Sequence, residues 1–198
     1  MLSSSTGEEK FRLEGHTDSI MWLSASPDGK LLATSSWDST VKIWDLEDGH
    51  LVRTLTGSIG QNWSGSWSPD SNLVAVGTGK YTIFVWNARS GEVVHVFGQE
   101  TCKFSGWVRG VSFDHSEGRS LVASSGSGIL RVFDMASGNC TNLYQIDPIS
   151  SPYPLFPGME ISDTLRYAPL SGERFGFKLN DGRVVIYDGG RNEMWEFI

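Results

Sequence analysis

Short apolar runs broken by turn residues set the rhythm of this chain. In residues 35–49, SSWDSTVKIWDLEDG, the segment 40–44 is rich in β-branched and aromatic residues, the composition of a strand. Asp38-Ser39 before it and Glu47-Asp48-Gly49 after it are turn formers. Asp and Ser side chains hydrogen-bond to nearby backbone, and Gly admits positive φ. Ser26-Pro27-Asp28-Gly29 marks a further tight reversal, with Pro fixing φ before the Gly. The pattern predicts four strands at about 19–25, 31–36, 40–44 and 51–55.

The same pattern returns. WLSASPDGKLLATSSWDSTVKIWDLEDGHLVRTL (22–55) aligns with SGSWSPDSNLVAVGTGKYTIFVWNARSGEVVHVF (64–97), placing Pro27 on Pro69 and Trp44 on Trp86 at a common offset of 42. A looser copy covers 108–144, with Phe133 at the Trp position, and a weaker one covers 163–198, with Tyr187 there. The predicted organisation is a tail at 1–10, repeats at about 11–55, 56–97, 98–144 and 160–198, and an inserted loop at 145–162. That loop holds four of the seven prolines, which block central strand pairing, so it reads as a spacer or a docking element over one face. Four short antiparallel strands form a twisted sheet with two apolar faces. Such a sheet cannot bury both faces alone, and stacking copies around an axis buries them.

With Gly15-His16 and Trp44-Asp45 at their spacing in the first copy, residues from about 11 to 198 resemble the WD40-repeat family. The resemblance implies an all-β fold of four four-stranded antiparallel β-propeller blades. Family members usually have seven or eight blades. Four here imply an incomplete propeller, a homodimer of eight blades, or a tight four-blade ring. Residues 10–13 read as an outer strand ahead of the first blade, and 193–198 as the outer strand of the last. The resemblance also implies a structural tetrad in the first blade: His16, a strand hydroxyl, Asp38 and Trp44. The hydroxyl is taken as Ser36, with Thr34 and Ser35 as alternatives. All members serve one blade, which sets them apart from a hydrolase triad. Later copies carry Ser58 and Lys80, then Gln99 and Ser127, at the His and Asp positions, while the fourth keeps Asp181.

Family members bind partners at the face where inner strands begin. Carried onto this sequence, the positions are Ser19, Met21 and Trp37, then Gln61, Trp63 and Gly79, then Trp107, Arg109 and Gly126, and lastly Ile161, Asp163 and Asn180. The candidate rim is Met21, Trp37, Trp63, Trp107, Arg109, Asp163 and Asn180. Trp and Arg dominate binding hot spots. The alternative is that the tryptophans pack between blades, more so for Trp107. The expected function is a non-catalytic protein–protein interaction scaffold. A substrate-recognition or regulatory subunit of a ubiquitin ligase or chromatin complex is the alternative.

Composition adjusts this picture in a few places. Glycines number 23 and tryptophans eight of 198 residues, in keeping with many turns and large aromatic packing. A net charge of −7 argues against a nucleic-acid groove and favours a basic peptide on the aromatic rim by cation–π contact. Cys102 and Cys140 lie in no metal-binding or disulfide pattern, and four scattered histidines offer no metal spacing, so neither metal nor cofactor is expected. Gly77-Thr78-Gly79-Lys80 is followed by Tyr81, not Ser or Thr, and no helix follows to hold phosphate. No run of about 18 apolar residues spans a bilayer, and the expected location is cytoplasmic or nuclear.

Overall fold

A computed structural model describes residues 7–100, 102–114, 118–125 and 129–145, and from the fourth repeat 168–169, 174–178, 184–188, 191 and 193–197. The strands form four separate four-stranded antiparallel sheets, each a simple meander. The first holds β1 (Ile20–Ala25), β2 (Leu31–Ser36), β3 (Val41–Asp45) and β4 (Leu51–Leu55). The second holds β5 (Asn62–Trp67), β6 (Leu73–Thr78), β7 (Ile83–Asn87) and β8 (Val93–Phe97). The third holds β9 (Val108–Phe113), β10 (Ser120–Ser125), β11 (Ile129–Asp134) and β12 (Cys140–Gln145). The fourth holds β13 (Ala168–Pro169), β14 (Arg174–Lys178), β15 (Val184–Asp188) and β16 (Glu193–Phe197).

The repeat extends to backbone conformation. Ser39 and Tyr81, at equivalent places in the β2–β3 and β6–β7 turns, both take positive φ (67° and 65°). The β1–β2 turn uses Gly29 at φ 72°, and its counterpart uses Ser71 at 62°. In these turns Ser26 Oγ donates to Asp28 Oδ1 and Ser68 Oγ to Asp70 Oδ1, both at 2.5 Å. Each carboxylate also accepts a backbone N–H two residues on, the Asx geometry that stabilises tight reversals. The Ser26 hydroxyl, then the Lys30 N–H, hold the Asp28 carboxyl below the usual range. Partial burial pushes the Asp70 carboxyl up, but the hydrogen bonds from Ser68 and Asn72 outweigh it and hold that group low as well.

The second sheet shows how strand alternation builds the core. Val74, Val76, Phe84 and Trp86 face the first sheet and meet Leu31, Ala33, Val41, Ile43 and Leu55. Their neighbours Ala75, Ile83 and Val85 face the third sheet and meet Val108, Val111, Phe113, Leu121 and Phe133. A period of two thus buries both faces of one sheet. The inner strand β5 lies between β1 and β9, so the starts of successive inner strands gather at one end. Close approach needs small residues. A Cβ on Gly77 would stand 2.5 Å from the Val108 carbonyl oxygen, and one on Gly65 would stand 2.7 Å from the Trp22 ring.

The first sheet has a partner on one face only among the described residues. Ile20 and Leu23 pair with Ser36 and Thr34 on the face turned from the second sheet, and are 50% and 63% exposed. Residues 10–13, expected as a strand, form none. Only Glu9 makes an isolated bridge, and Phe11 instead lies against Gly49 in the β3–β4 turn. The loop expected at 145–162 lies outside the described residues apart from Gln145.

Candidate functional site

Two clusters expected from the sequence acquire geometry: a polar network in the first sheet and an aromatic rim across three sheets. In the network, His16 Nδ1 lies 2.8 Å from Asp38 Oδ2 and Nε2 lies 2.8 Å from Thr34 Oγ1. The Trp44 indole N–H donates to the same Thr34 oxygen at 2.9 Å. A neutral imidazole with its proton on Nδ1 closes the chain without conflict: it donates to Asp38, and the Thr34 hydroxyl donates to Nε2 while accepting from Trp44. Asp38 accepts further from Thr40 Oγ1 (2.6 Å), Thr40 N–H (2.9 Å) and Thr17 N–H (3.1 Å). Burial pushes the Asp38 carboxyl up, but the hydrogen bonds from Thr40, His16 and the backbone outweigh it and hold the group well below the usual range.

The hydroxyl in this network is Thr34, and Ser36 is corrected. Strand register gives the reason. Leu32 pairs with Trp44 and Thr34 with Lys42, so Thr34 is the hydroxyl within reach of the indole. Ser36 sits beyond the β2–β3 ladder, beside the turn, and pairs only with Ile20 of β1. Its hydroxyl donates to the Asp18 carbonyl at 3.1 Å and accepts the Asp38 N–H at 3.1 Å. Ser35 points to the opposite face, as alternation requires.

The rim is built by a repeated irregularity. In each of the three inner strands the pairing skips one residue near its start: Met21 between Ile20 and Trp22, Trp63 between Asn62 and Ser64, Arg109 between Val108 and Gly110. A bulge of this kind re-aims a side chain out of the ladder. Trp37 N–H donates to the Ser19 carbonyl (3.0 Å) as Gly79 N–H donates to Gln61 (2.8 Å), which fixes each β2–β3-type turn beside its inner strand. The missing side chain at Gly79 leaves room for Trp63: a Cβ there would stand 3.3 Å from Trp63 Nε1.

The side chains join across sheets. Trp37 meets Trp63 edge-on, centroids 5.2 Å apart at 61°, and Trp63 stacks on Trp107 at 5.1 Å and 21°. The Arg109 guanidinium lies 4.8 Å from the Trp63 ring centre and 4.9 Å from that of Trp107. The tryptophans are therefore half-buried and packed on one another, while Met21 is exposed at the cluster's edge. Asp163, Asn180 and Gly126 lie outside the described residues.

Residues 7–45 match the WD domain, G-beta repeat family, and residues 65–151 match the Anaphase-promoting complex subunit 4 WD40 domain. The solved structure of U3-55K superposes with a TM-score of 0.78 over 93% of this chain and 53% of its own, at 19% identity. That of the RRP9 WD40 repeats gives 0.77 over 93% and 52%, also at 19%. The chain is a WD40-repeat protein. Among curated WD40 relatives, Lissencephaly-1 homolog 1 of Paramecium tetraurelia is 40% identical over 47 residues, 24% of this chain and 12% of its own length. The probable E3 ubiquitin ligase complex SCF subunit sconB of Talaromyces marneffei is 49% identical over 43 residues, 22% and 6% respectively. The chain thus spans a small part of these relatives and about half of the solved WD40 structures.

The second and third WD40 sheets use other devices where the network residues differ. Ser58 Oγ donates to the Ser39 carbonyl of the preceding sheet at 2.9 Å, so it ties neighbours together. The Trp86 indole donates to the Thr56 carbonyl at 3.0 Å, and the Phe133 ring stacks on Phe97 at 4.4 Å. Sequence reasoning missed Ile59, Lys80 and Tyr81, which are exposed on the rim end, in the β4–β5 crossover and the β6–β7 turn. A large aromatic inside the turn GTGKYT was the available signal.

Cys102 and Cys140 are free thiols, and burial, then the neighbouring Cys102 thiol, pushes Cys140 up to about 11. Asp45, Asp48 and His50 bring ligand atoms within 4.8 Å at the β3–β4 turn, but the Asp48 carboxylate and the His50 ring, both exposed, bond each other at 2.6 Å. Among the described residues no helix is long and apolar enough to cross a membrane.

Proposed function

We propose that this WD40 chain is a non-catalytic interaction scaffold that holds a protein or peptide partner on the rim of Met21, Trp37, Trp63, Trp107 and Arg109, with Asp163 and Asn180 continuing it in the fourth repeat. The observation that carries this is the repeated bulge, which places Met21, Trp63 and Arg109 at one end of three successive sheets. An aromatic and Arg cluster flanked by exposed Met21, Ile59 and Tyr81 has the composition of a binding hot spot. Two free cysteines fit the reducing setting of the cytoplasm or nucleus.

The test compares proteins captured by the wild type, by Met21→Glu and by Trp63→Ala, with near-ultraviolet circular dichroism checking the fold. Partners lost in both variants support the proposal. An unchanged set of partners contradicts it. A second reading is a substrate-recognition subunit of a larger enzyme assembly, favoured by similarity to proteins named as SCF ubiquitin ligase subunits. Ubiquitin transfer by complexes captured with the wild type, and lost with Trp63→Ala, would select it.

A further inference from the structure

We propose that Cys102 and Cys140 form a redox-active dithiol, which a peroxide converts to an internal disulfide and a reducing thiol restores. It stands whatever the rim binds. These are the chain's two cysteines. Nothing in their spacing pairs them, but the fold does. Cys102 lies in the β8–β9 crossover, and Cys140 opens β12, the edge strand of the third sheet. Both pack against the core between the second and third sheets, and their thiols hydrogen-bond each other. The crossover turns at Cys102 with φ 55°, a conformation that a non-Gly residue rarely takes. Both side chains are partly exposed, so a small oxidant reaches them.

A buried cation marks the place. Arg131 of β11 is 9% exposed, with its guanidinium carbon 5.3 Å from the Phe104 ring centre. Its Nη1 donates to Cys140 Sγ at 3.9 Å, and its Nη2 donates to the carbonyl of Lys103, the residue after Cys102. One side chain thus holds both cysteine segments. Its Nε has no partner, and among the described residues its contacts are a sulfur, a carbonyl and a ring, with no carboxylate. Burying a cation without a counter-charge is costly. Negative charge developing on the Cys140 sulfur as its proton leaves supplies one, since a neighbouring Arg favours the thiolate. Burial, then the Cys102 thiol, still pushes Cys140 up to about 11, so at neutral pH Cys140 is the protonated thiol and Cys102 is the one that reacts first.

Hydrogen peroxide serves as the oxidant. Cys102 loses its proton, and its sulfur attacks one peroxide oxygen. The O–O bond breaks, the leaving hydroxide takes up the proton as water, and Cys102 carries a sulfenic acid. The Cys140 sulfur then attacks the Cys102 sulfur. The S–O bond breaks, and hydroxide leaves with the Cys140 proton as a second water. The two thiols give up two electrons, and the peroxide accepts them. Exchange with two molecules of a small thiol, which leave as their own disulfide, restores the pair. Cys102 belongs to no strand, so the crossover can follow as the sulfur contact closes to a bond. The bridge encloses β9, β10 and β11 and removes loop freedom from the unfolded chain.

The test treats the reduced full chain with an equivalent of hydrogen peroxide and maps its cysteines by mass spectrometry. The expected product is an internally linked chain, lighter by two hydrogen atoms, with Cys102 and Cys140 in one cross-linked peptide that dithiothreitol separates. Its Tm by circular dichroism should rise by about 5 °C or more over that of the reduced chain. Cys140→Ser should stop at the sulfenic acid of Cys102, trapped by dimedone, and Cys102→Ser should leave Cys140 unoxidised under the same treatment. Arg131→Met, shown to be folded by circular dichroism, should bridge about tenfold more slowly. An unchanged rate overturns the part given to Arg131. A folded wild type that keeps both thiols, that oxidises to single acids without a bridge, or that bridges only between chains overturns the dithiol.

Discussion

Replacing Thr34 by Val removes one oxygen and leaves the side chain's shape nearly unchanged. That oxygen lies 2.8 Å from His16 Nε2 and 2.9 Å from the Trp44 indole nitrogen. Thr34 is 4% exposed and Trp44 3%, so water cannot take its place without opening the sheet. A buried N–H left without an acceptor costs about 1–3 kcal/mol, and the lost bond to the imidazole adds about 1 kcal/mol. The account therefore predicts a destabilisation of about 2–4 kcal/mol, which for a chain of this size lowers Tm by roughly 5–15 °C. Thr34→Ser keeps the hydroxyl and should lose less than about 1 kcal/mol. Thermal melts by circular dichroism of both variants decide it. A T34V protein that melts within a degree or so of wild type would refute the network's role, as would T34S falling equally far.

Ser36→Ala should cost about 1 kcal/mol, less than T34V in the same melts, because it breaks only the bonds to the Asp18 carbonyl and the Asp38 N–H. A larger loss than T34V would restore Ser36 as the network's hydroxyl. Asp38 is held below its ordinary value of 3.8, so its contribution is fully present above that pH and is lost as pH falls towards the lower folded value. Asp38→Asn should therefore lower Tm at pH 7 and flatten its decline below about pH 4; matching acid limbs in wild type and variant would contradict this. Gly77→Ala puts a Cβ 2.5 Å from the Val108 carbonyl oxygen, at the boundary between the second and third sheets, and should cost about 1–3 kcal/mol in urea unfolding. An unchanged midpoint would show that the two sheets can move apart.

Much of the fold was legible because its signals are local. Turn residues and β-branched runs mark β1 to β4, and the offset of 42 carries them to β5 to β8. Residues 10–13 misled because KFRL alternates like a strand, yet a strand needs a neighbour, and only Glu9 finds a bridge. The Ser36 assignment failed at register: three consecutive hydroxyls look alike in sequence, and only the pairing of Leu32 with Trp44 selects Thr34. The rim positions came from the family pattern, but their arrangement did not. A one-residue bulge leaves no mark in sequence, and the seating of Arg109 against Trp63 and Trp107 depends on how two successive sheets pack, which the spacing of Trp63 and Arg109 in the chain does not reveal. Ile59 was missed because the pattern directs attention to inner strands and turns, not to crossovers, and Tyr81 because the pattern selects the residue before the turn Asp position, not the one after it.

The central claim, that partners dock on the end where the inner strands begin, is tested most directly by photo-crosslinking from two positions. One carries the crosslinker at Met21, on the rim and 37% exposed; the other at Asn72, exposed in the β5–β6 turn at the opposite end of the sheets. The account predicts partner adducts from Met21, lost on adding Trp63→Ala, and none from Asn72. Adducts from Asn72 alone, or adducts from Met21 that survive Trp63→Ala in a folded protein, would contradict it.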